Sequence, residues 1–198
     1  MKLDAPETKA LATKQAAEMA RAGIEAVKSE LFPALTAAFG EAVKELPEPY
    51  GVPQLEVDAA KVHDVCLWLK DHDFNMLLDL GGVDYLPREP RFEVVYHLLA
   101  VPSMERLRLR VPLPNAEDPQ LATVSDLWQS ANPAEREVWD QFGIVFKGHP
   151  NLTRILNPDD WEGHPLRKDY PLRGERALHS DTATADQNRF HPIKFDEN

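Results

Sequence analysis

The sequence contains a single cysteine among its 198 residues, and this scarcity excludes several kinds of site. A disulfide within the chain needs two cysteines. An iron-sulfur cluster is held by about four thiolates, and structural zinc of the usual type needs several cysteines and histidines. We therefore expect no metal and no redox centre in this chain. Cys66 lies among apolar residues in a helical pattern and is predicted to be a small core residue.

Long apolar runs and an excess of positive charge are also missing. No run approaches the ~20 apolar residues that span a bilayer, and the charged residues 1–7 lack the apolar core of a secretory signal. We therefore expect the chain to stay in the cytoplasm and to reach a membrane only through partners. The net charge of −11 argues against nonspecific binding of nucleic acid, because phosphates attract a positive protein surface.

The sequence has no phosphate-binding glycine loop and no nucleophile elbow. Gly-x-Gly-x-x-Gly, the Walker A motif and Gly-x-Ser-x-Gly are all missing. The residues therefore predict no nucleotide, flavin or nucleophile site. We expect no catalytic residue and no cofactor-binding residue in this chain.

Apolar residues recur with the periods of helices and strands over residues 30–146, which predicts an α+β domain with a mostly antiparallel sheet and packed helices. Residues 1–29, rich in Ala, Lys and Glu, are predicted to form a helical arm. Asp58 is the candidate N-cap of a helix that packs on the sheet. A further short helix is expected over residues 124–130.

Alternating apolar residues predict three strands, over 74–80, 92–98 and 106–111. The first is expected to bury Met76 and Leu78 on its apolar face and to end at Gly81-Gly82. The other two are predicted to pair as an antiparallel hairpin. Pro112 is expected to end the regular structure.

The C-terminal segment, residues 147–198, has several prolines and little periodicity, so it is predicted to be extended or irregular. It still contains large residues such as Trp161 and Tyr170, interleaved with arginines, which a disordered tail would not carry. Trp, Tyr and Arg are typical interface anchors. Two interpretations stay open, because the segment can wrap its own domain, dock on other proteins, or divide between both.

The densest group of polar residues falls in a helix predicted over 132–143, with Asn132 as N-cap and Glu135 completing a capping box. A helical wheel places Glu135 on the apolar side and the following residues on the polar side: Arg136, Glu137, Asp140 and Gln141. Glu135 either satisfies the helix N-terminus or pairs with an arginine elsewhere. Acid–base or metal chemistry at these carboxylates would lack a histidine pair with ligand spacing.

Basic residues and histidines outside this helix have simpler interpretations. The stripe Arg106/Arg108/Arg110 fits the outer face of a strand that pairs with acidic neighbours, or that meets an acidic partner protein. His149 and His164 each follow a glycine and precede a proline, and a hydrogen-bonded structural role is predicted for both.

Two motifs carry a resemblance to a known family. Residues 135–140, followed by Phe142, Gly143 and Gly148-His149-Pro150, resemble the signature of the family formed by the C subunits of bacterial NADH–quinone oxidoreductase, respiratory complex I. Residues 161–172 resemble the second hallmark of that family. The resemblance extends over residues 30–174.

The resemblance implies a non-catalytic scaffold subunit in the peripheral arm of a proton-translocating enzyme, on the cytoplasmic side of the inner membrane. It implies contacts with subunits D, B and I near the quinone-reducing end. FMN and iron-sulfur clusters would lie in partner subunits only. One alternative is the equivalent subunit of a related membrane-bound hydrogenase-type complex. Another is a free-standing soluble enzyme that uses Glu135 and Glu137.

The resemblance also implies that signature and interface residues occupy both motifs and the chain between them. These residues are Glu135, Arg136, Glu137, Asp140, Phe142, Gly143, His149, Pro150, Arg154, Trp161, His164, Pro165, Arg167, Lys168, Asp169 and Tyr170. Within this set we expect charge pairs from Arg136, Glu137 and Asp140, and apolar anchors from the aromatic residues of the second motif. The basic residues expected to meet acidic groups on partner subunits are Arg154, Arg167 and Lys168.

Overall fold

The structure is a computed structural model, and it describes residues 31–48 and 51–171. The predicted helical arm, residues 1–29, lies outside the described residues. The described elements, in chain order, are α1 Phe32–Phe39, β1 Val43–Leu46, β2 Gln54–Val57, α2 Val62–Asp71, β3 Met76–Asp84, β4 Phe92–Ala100, β5 Glu105–Leu113, β6 Gln120–Ala122, α3 Ala131–Phe142 and β7 Val145–Lys147. Within these ranges no helix has both the length and the apolar character needed to cross a membrane.

Five of the strands form one mixed sheet in the order β1-β2-β5-β4-β3, which confirms the α+β prediction. All neighbouring strands are antiparallel except β2 and β5, which run parallel. The predicted hairpin is confirmed, because β4 and β5 pair from Phe92 opposite Leu113 to Ala100 opposite Glu105. Strands β6 and β7 form a separate parallel pair.

Helices α2 and α3 pack on one face of this sheet. The alternating residues of β4 and β5 that point to this face are buried, as predicted, and Cys66 of α2 is buried among them. Gly82 of β3 gives α3 the room to approach, since a Cβ there would lie 2.7 Å from the Phe142 ring. Val138 of α3 is also beside Gly82 and is buried, and burying such a side chain contributes roughly 1.5–3 kcal/mol, so these apolar contacts hold α3 against β3.

The prediction for β3 is wrong in its register and in its end. A register shift between Leu77 and Asp79 inserts one extra residue, a β-bulge. Because side chains alternate with a period of two, the bulge leaves Met76 and Leu78 exposed while Leu77 stays buried. The strand then continues through the glycine pair to Asp84.

Two other local predictions are also wrong. Strand β5 continues through Pro112, which pairs with Glu93 of β4. Because β2 pairs with β5 only as far as Arg110, the proline has a single strand neighbour, a position where a missing N–H is tolerated. Residues 124–130 form turns instead of a helix, and the Val124 carbonyl accepts from the backbone N–H groups of both Leu127 and Trp128.

After β7 the described chain has no further helix or strand, and we call residues 148–171 the strap. The strap passes over α3 and reaches the connection between β3 and β4. The interpretation that this segment wraps its own domain is therefore correct for the strap. Residues 172–198 lie outside the described residues.

Candidate functional site

Asp140 of α3 holds the strap through five hydrogen bonds, although its side chain is fully buried. Arg154 donates to Oδ1 through Nη1 at 2.6 Å, and the Asn157 amide donates to the same oxygen at 3.0 Å. The backbone N–H groups of Ile155, Leu156 and Asn157 all donate to Oδ2, at 3.2, 2.9 and 2.9 Å. We call this group of contacts the Asp140 anchor. It satisfies backbone groups that an irregular segment leaves without partners.

The charge of Asp140 is stabilised by these donors. Burial alone would raise the pKa of the Asp140 carboxyl, but the hydrogen bonds from Asn157 and Arg154 outweigh it and hold the pKa well below its usual range. Asp140 is therefore ionised at neutral pH. The helical wheel placed Asp140 and Gln141 on the polar side of α3, where exposed side chains are expected, and this is wrong because both side chains are buried.

Arg154 joins the Asp140 anchor to the next turn of the strap. Its Nη2 donates to the Trp161 carbonyl at 2.6 Å and to the Gly163 carbonyl at 3.2 Å. The expectation that Arg154 meets an acidic group on a partner is therefore corrected, since its acid is Asp140 of the same chain. Arg136 differs, because it makes no ion pair with the described residues and donates instead to the carbonyls of Thr153 and Arg154.

The end of α3 is shaped to receive His164 of the strap. Gly143 has a φ of 76°, and a Cβ at this position would lie 2.6 Å from Cδ2 of His164. His164 Nδ1 lies 3.0 Å from the Asp140 carbonyl, and the Leu166 N–H donates to the Gln141 carbonyl at 3.1 Å. Burial lowers the pKa of His164, so a neutral ring that donates from Nδ1 fits this site.

His149 has the other structural role predicted for a histidine. Its Nε2 lies 3.2 Å from the Asn132 carbonyl, near the start of α3. Pro150, which follows it, is exposed, whereas Pro165 is partly buried beside His164. The hydrogen-bonded structural roles predicted for His149 and His164 are therefore confirmed.

A second aspartate holds the far end of the strap. Asp84, at the end of β3, is buried, and it accepts from Arg91 Nη2 at 2.8 Å and from the Lys168 backbone N–H at 2.9 Å. Arg91 also pairs with Asp169 at 2.8 Å. Burial works against ionisation of Asp84, but the bonds from Arg91, Leu86 and Lys168 lower its pKa to about 2. We call these contacts the Asp84 anchor.

Glu135 points into the core and touches neither α3's own N-terminus nor an arginine. Its Oε1 accepts from the Val124 backbone N–H at 2.7 Å, and its Oε2 is bonded to the Thr123 hydroxyl. The interpretation that Glu135 satisfies the helix N-terminus is therefore wrong, and no arginine of the described residues pairs with it. Burial raises the pKa of Glu135 to about 7, against the smaller opposite effect of the bonds from Thr123 and Val124.

The predicted capping box fails because α3 begins earlier than expected. The helix starts at Ala131, which makes Asn132 an interior residue and not the N-cap. Ser130 stands at the N-cap without a side-chain capping bond, and its hydroxyl donates instead to the Leu77 carbonyl of β3 at 3.1 Å.

Several side chains remain available on the outer side of the strap. Leu156 is 63% exposed and Leu166 is 56% exposed, with Ile155 exposed beside them. The Arg167 guanidinium lies 4.9 Å from the Phe92 ring, and its buried Nε has no hydrogen-bond partner among the residues that the structure describes. An apolar surface beside an incompletely satisfied cation is typical of a protein interface.

The remaining predicted residues differ in their exposure to solvent. The Lys168 side chain and Glu137 are exposed, while Trp161 and Tyr170 are half-buried. Tyr170 packs on Gly163, where a Cβ would lie 2.8 Å from its ring. Both aromatic residues therefore pack partly against their own chain, and part of each stays accessible.

Sequence reasoning assigned no contact to several residues that hold the site together. Asp84 and Arg91 are seven residues apart on the two sides of a strand connection, a spacing that carries no motif. Thr123 and Asn157 gave no signal either, because each is defined only by the carboxylate that it meets in the fold. In residues 31–48 and 51–171, no group of three or more His, Cys, Asp or Glu side chains is placed to hold a metal ion.

A family model and similar proteins of known name all point to the same family. The family model described as "Respiratory-chain NADH dehydrogenase, 30 Kd subunit" matches residues 55–176. A protein of Geobacter sulfurreducens, named as the C subunit of NADH-quinone oxidoreductase, is 48% identical over 138 residues, which cover 69% of this chain and 85% of that protein. A protein of Roseiflexus sp. with the same name is 44% identical over 163 residues, which cover 81% of this chain and 91% of that protein.

Two solved structures resemble the chain. One, "Nqo5 of the trypsin-resistant fragment (1-134) in P63 form", is 40% identical with a TM-score of 0.55 and covers 62% of this chain and 98% of its own. The other belongs to the membrane-bound sulfane sulfur reductase, an archaeal respiratory membrane complex. It is 24% identical with a TM-score of 0.64, covers 86% of this chain and 96% of its own, and shows a similarity of fold alone.

Proposed function

The chain belongs to the family of the 30-kDa subunit of respiratory-chain NADH dehydrogenase, and from this premise we propose that it is a non-catalytic scaffold subunit that supports the quinone-reducing module. NADH–quinone oxidoreductase is an enzyme complex, and the chain is one of its subunits. The scaffold role is a proposal about how this subunit contributes to electron transfer from NADH to quinone and to proton translocation by the whole complex.

The observation that carries the proposal is an apolar surface displayed on a firmly held irregular segment. Leu156 and Leu166 are more than half exposed, yet the backbone beneath them is fixed by the Asp140 anchor and by the contact of Leu166 with Gln141. Exposed apolar groups on a fixed backbone are typical of a surface that another protein covers. The aromatic residues of the strap provide partly buried anchors beside them.

Arg167 adds a charged contact to the same surface. Its Nε is buried without a hydrogen-bond partner among the described residues, and it stacks on Phe92. Arginine binds carboxylates through two parallel hydrogen bonds, which suits a partner that places an Asp or Glu over this position. We propose that Arg167 and the exposed side chain of Lys168 meet acidic groups on a neighbouring subunit.

The proposed neighbours are subunits D, B and I of the complex, near its quinone-reducing end. The chain would be peripheral, on the cytoplasmic side of the inner membrane, and would reach the membrane through these partners. FMN and iron-sulfur clusters would be held by partner subunits. The names of relatives at 44–48% identity favour an NADH-dependent complex over the hydrogenase-type alternative.

The test replaces the chain with variants in cells that lack it. We expect Arg167→Ala to reduce the amount of assembled complex, since loss of one partner of a desolvated charge pair costs roughly 2–5 kcal/mol. Leu156→Ser should act in the same direction. Membranes are examined by native gels for assembled complex, and NADH–quinone reductase activity is divided by the amount assembled, a ratio that should stay constant.

Two matched control variants test whether the loss of assembly is specific to residues of the strap. Arg106→Ala removes an exposed arginine of β5, and Leu67→Ser removes an exposed leucine of α2. Both should leave assembly unchanged. A strap variant that assembles fully but has lost turnover would indicate a direct catalytic role and contradict the scaffold proposal.

A further inference from the structure

Within the described part of the chain, the buried carboxyl of Glu135 has only neutral hydrogen-bond partners. Its two oxygens bind the Val124 N–H and the Thr123 hydroxyl, and its side chain is fully buried. A buried carboxylate is strongly disfavoured unless a cation compensates it. We propose that Glu135 is a proton-binding site, loaded and emptied through Thr123 and Ser125, whose occupancy controls how tightly α3 packs on the turn formed by residues 123–125.

No described cation faces this carboxyl, and the titratable groups around it are acids. Cys66 faces it from α2, Tyr96 from β4 and Asp126 from the adjacent turn. Burial raises the pKa values of the Cys66 thiol and the Tyr96 hydroxyl, so both groups are neutral. Asp126 is exposed, and its negative charge further disfavours ionisation of Glu135. The surroundings therefore favour the protonated form.

Two basic side chains that reach the adjacent turn are engaged with other groups. Lys70 donates to the Leu127 carbonyl at 2.5 Å, and His63 pairs with Asp126 at 2.9 Å on the exposed side of the turn. Neither makes a hydrogen bond or ion pair with Glu135. Release of the proton consequently leaves a buried anion whose hydrogen-bond partners, among residues 31–48 and 51–171, are a backbone N–H and a hydroxyl.

Two hydroxyls connect the buried carboxyl to the surface. The Thr123 hydroxyl is bonded to Glu135 and lies 2.8 Å from the Ser125 hydroxyl, and either hydroxyl can donate in the second bond. Thr123 is buried, whereas Ser125 is partly exposed. A chain of hydroxyls can pass a proton by exchanging donor and acceptor roles, so Glu135 can equilibrate with solvent without unfolding.

The sign of the effect follows from linkage. The folded-state pKa of Glu135 is about 7, and an unfolded glutamate titrates at about 4.3. At pH values between these two pKa values, the folded chain therefore binds more protons than the unfolded chain does. The contribution of Glu135 to stability is therefore greatest below about pH 4, falls as the pH rises towards 7, and is level above the folded pKa.

The first test follows the carboxyl itself in the full chain. The ¹³C resonance of the Glu135 carboxyl is assigned by its disappearance in Glu135→Gln and is then followed from pH 4 to pH 9. We expect a midpoint near pH 7. A midpoint below about pH 5 would overturn the proposal, because the site would then be ionised throughout the neutral range.

The second test measures unfolding by urea from pH 5 to pH 8. The unfolding equilibrium constant of the wild type, relative to Glu135→Gln, should rise by up to about tenfold per pH unit below pH 7. Burial lowers the pKa values of His97 and His164, so these two residues make stability rise with pH. They are present in both proteins, and the ratio of the two unfolding constants therefore cancels their effect. Glu137→Gln, on the exposed side of the same helix, should keep the wild-type slope, and a ratio independent of pH would refute the switch.

The route is tested with Ser125→Ala. Removing this hydroxyl should leave the midpoint of Glu135 unchanged but slow its proton exchange, which is measured from the line width of the carboxyl resonance. Unchanged exchange would exclude the route through Ser125. None of these outcomes depends on partner subunits, so they are distinct from the test of the scaffold role.

Discussion

Replacing Asp140 by asparagine should release the middle of the strap from α3. The asparagine side chain keeps one carbonyl oxygen, which can still accept from Arg154. The other position becomes an NH₂ group that faces the backbone N–H groups of Ile155, Leu156 and Asn157, all of which are donors. The substitution therefore keeps the shape of the side chain while it reverses the polarity of three contacts.

The expected magnitude comes from the loss of the buried charge. Asp140 is fully buried and its pKa lies well below the usual range, so the protein stabilises its ionised form strongly. Removing one partner of a buried ion pair costs about 3–5 kcal/mol. If the strap opens as a unit, the lower value corresponds to roughly a 10²-fold increase in its open population, since 1.4 kcal/mol is a factor of ten.

Amide hydrogen exchange on the full chain measures this opening directly. The backbone N–H groups of residues 155–157 should exchange about 10²-fold faster in Asp140→Asn than in the wild type at the same pH. Amides of β4 and β5 should change much less, because the strap lies outside the sheet. Glu137→Gln is the matched control, with the same change of charge at an exposed position of α3.

A small effect would refute the reasoning. If exchange at residues 155–157 in Asp140→Asn stays within about threefold of the wild type, the Asp140 anchor does not hold the strap. An equal loss of protection in β4 and β5 would show instead that strap and sheet unfold together.

Two further predictions concern Gly143 and the Asp84 anchor. Gly143→Ala should destabilise the chain by at least about 1–2 kcal/mol and lower the melting temperature, because its φ is 76° and the new Cβ would meet His164. Gly81→Ala, where a Cβ meets nothing within 4 Å, should have a much smaller effect, and equal effects would contradict the argument. The free energy of unfolding in urea should fall by about 2 kcal/mol between pH 4 and pH 2 through Asp84, because its pKa is about 2 and its contribution is present above pH 4 and lost as the pH falls towards 2. In Asp84→Asn this fall should be absent. A wild-type stability that stays constant between pH 5 and pH 2 would exclude this role.

The sequence predicted the sheet well wherever side chains alternate without interruption. β5 follows a strict period of two, β4 has an apolar residue at every second position, and both their pairing and the buried face predicted for each agree with this pattern. β3 fails because one extra residue at Leu78 reverses the alternation. A bulge of this kind depends on the neighbouring strand, and the local pattern does not contain that information.

The site was predicted as a set of residues but not as a set of contacts. The predicted residues included both Asp140 and Arg154, which do meet, yet the wheel placed Asp140 on the polar side of its helix. A wheel describes one helix in isolation, and it cannot show that an irregular strap covers the polar side. The partner of Glu135 was missed for the same reason, because Val124 belongs to a turn that precedes the helix.

The two aspartate anchors also affect how fast the subunit can join its neighbours. A tail that becomes ordered only on contact loses roughly 1–2 kcal/mol of backbone entropy per residue at that moment. The strap has already taken its shape before any contact, so docking resembles the meeting of two rigid bodies. Its rate should then depend on collision and orientation, with no waiting time for a chain to fold.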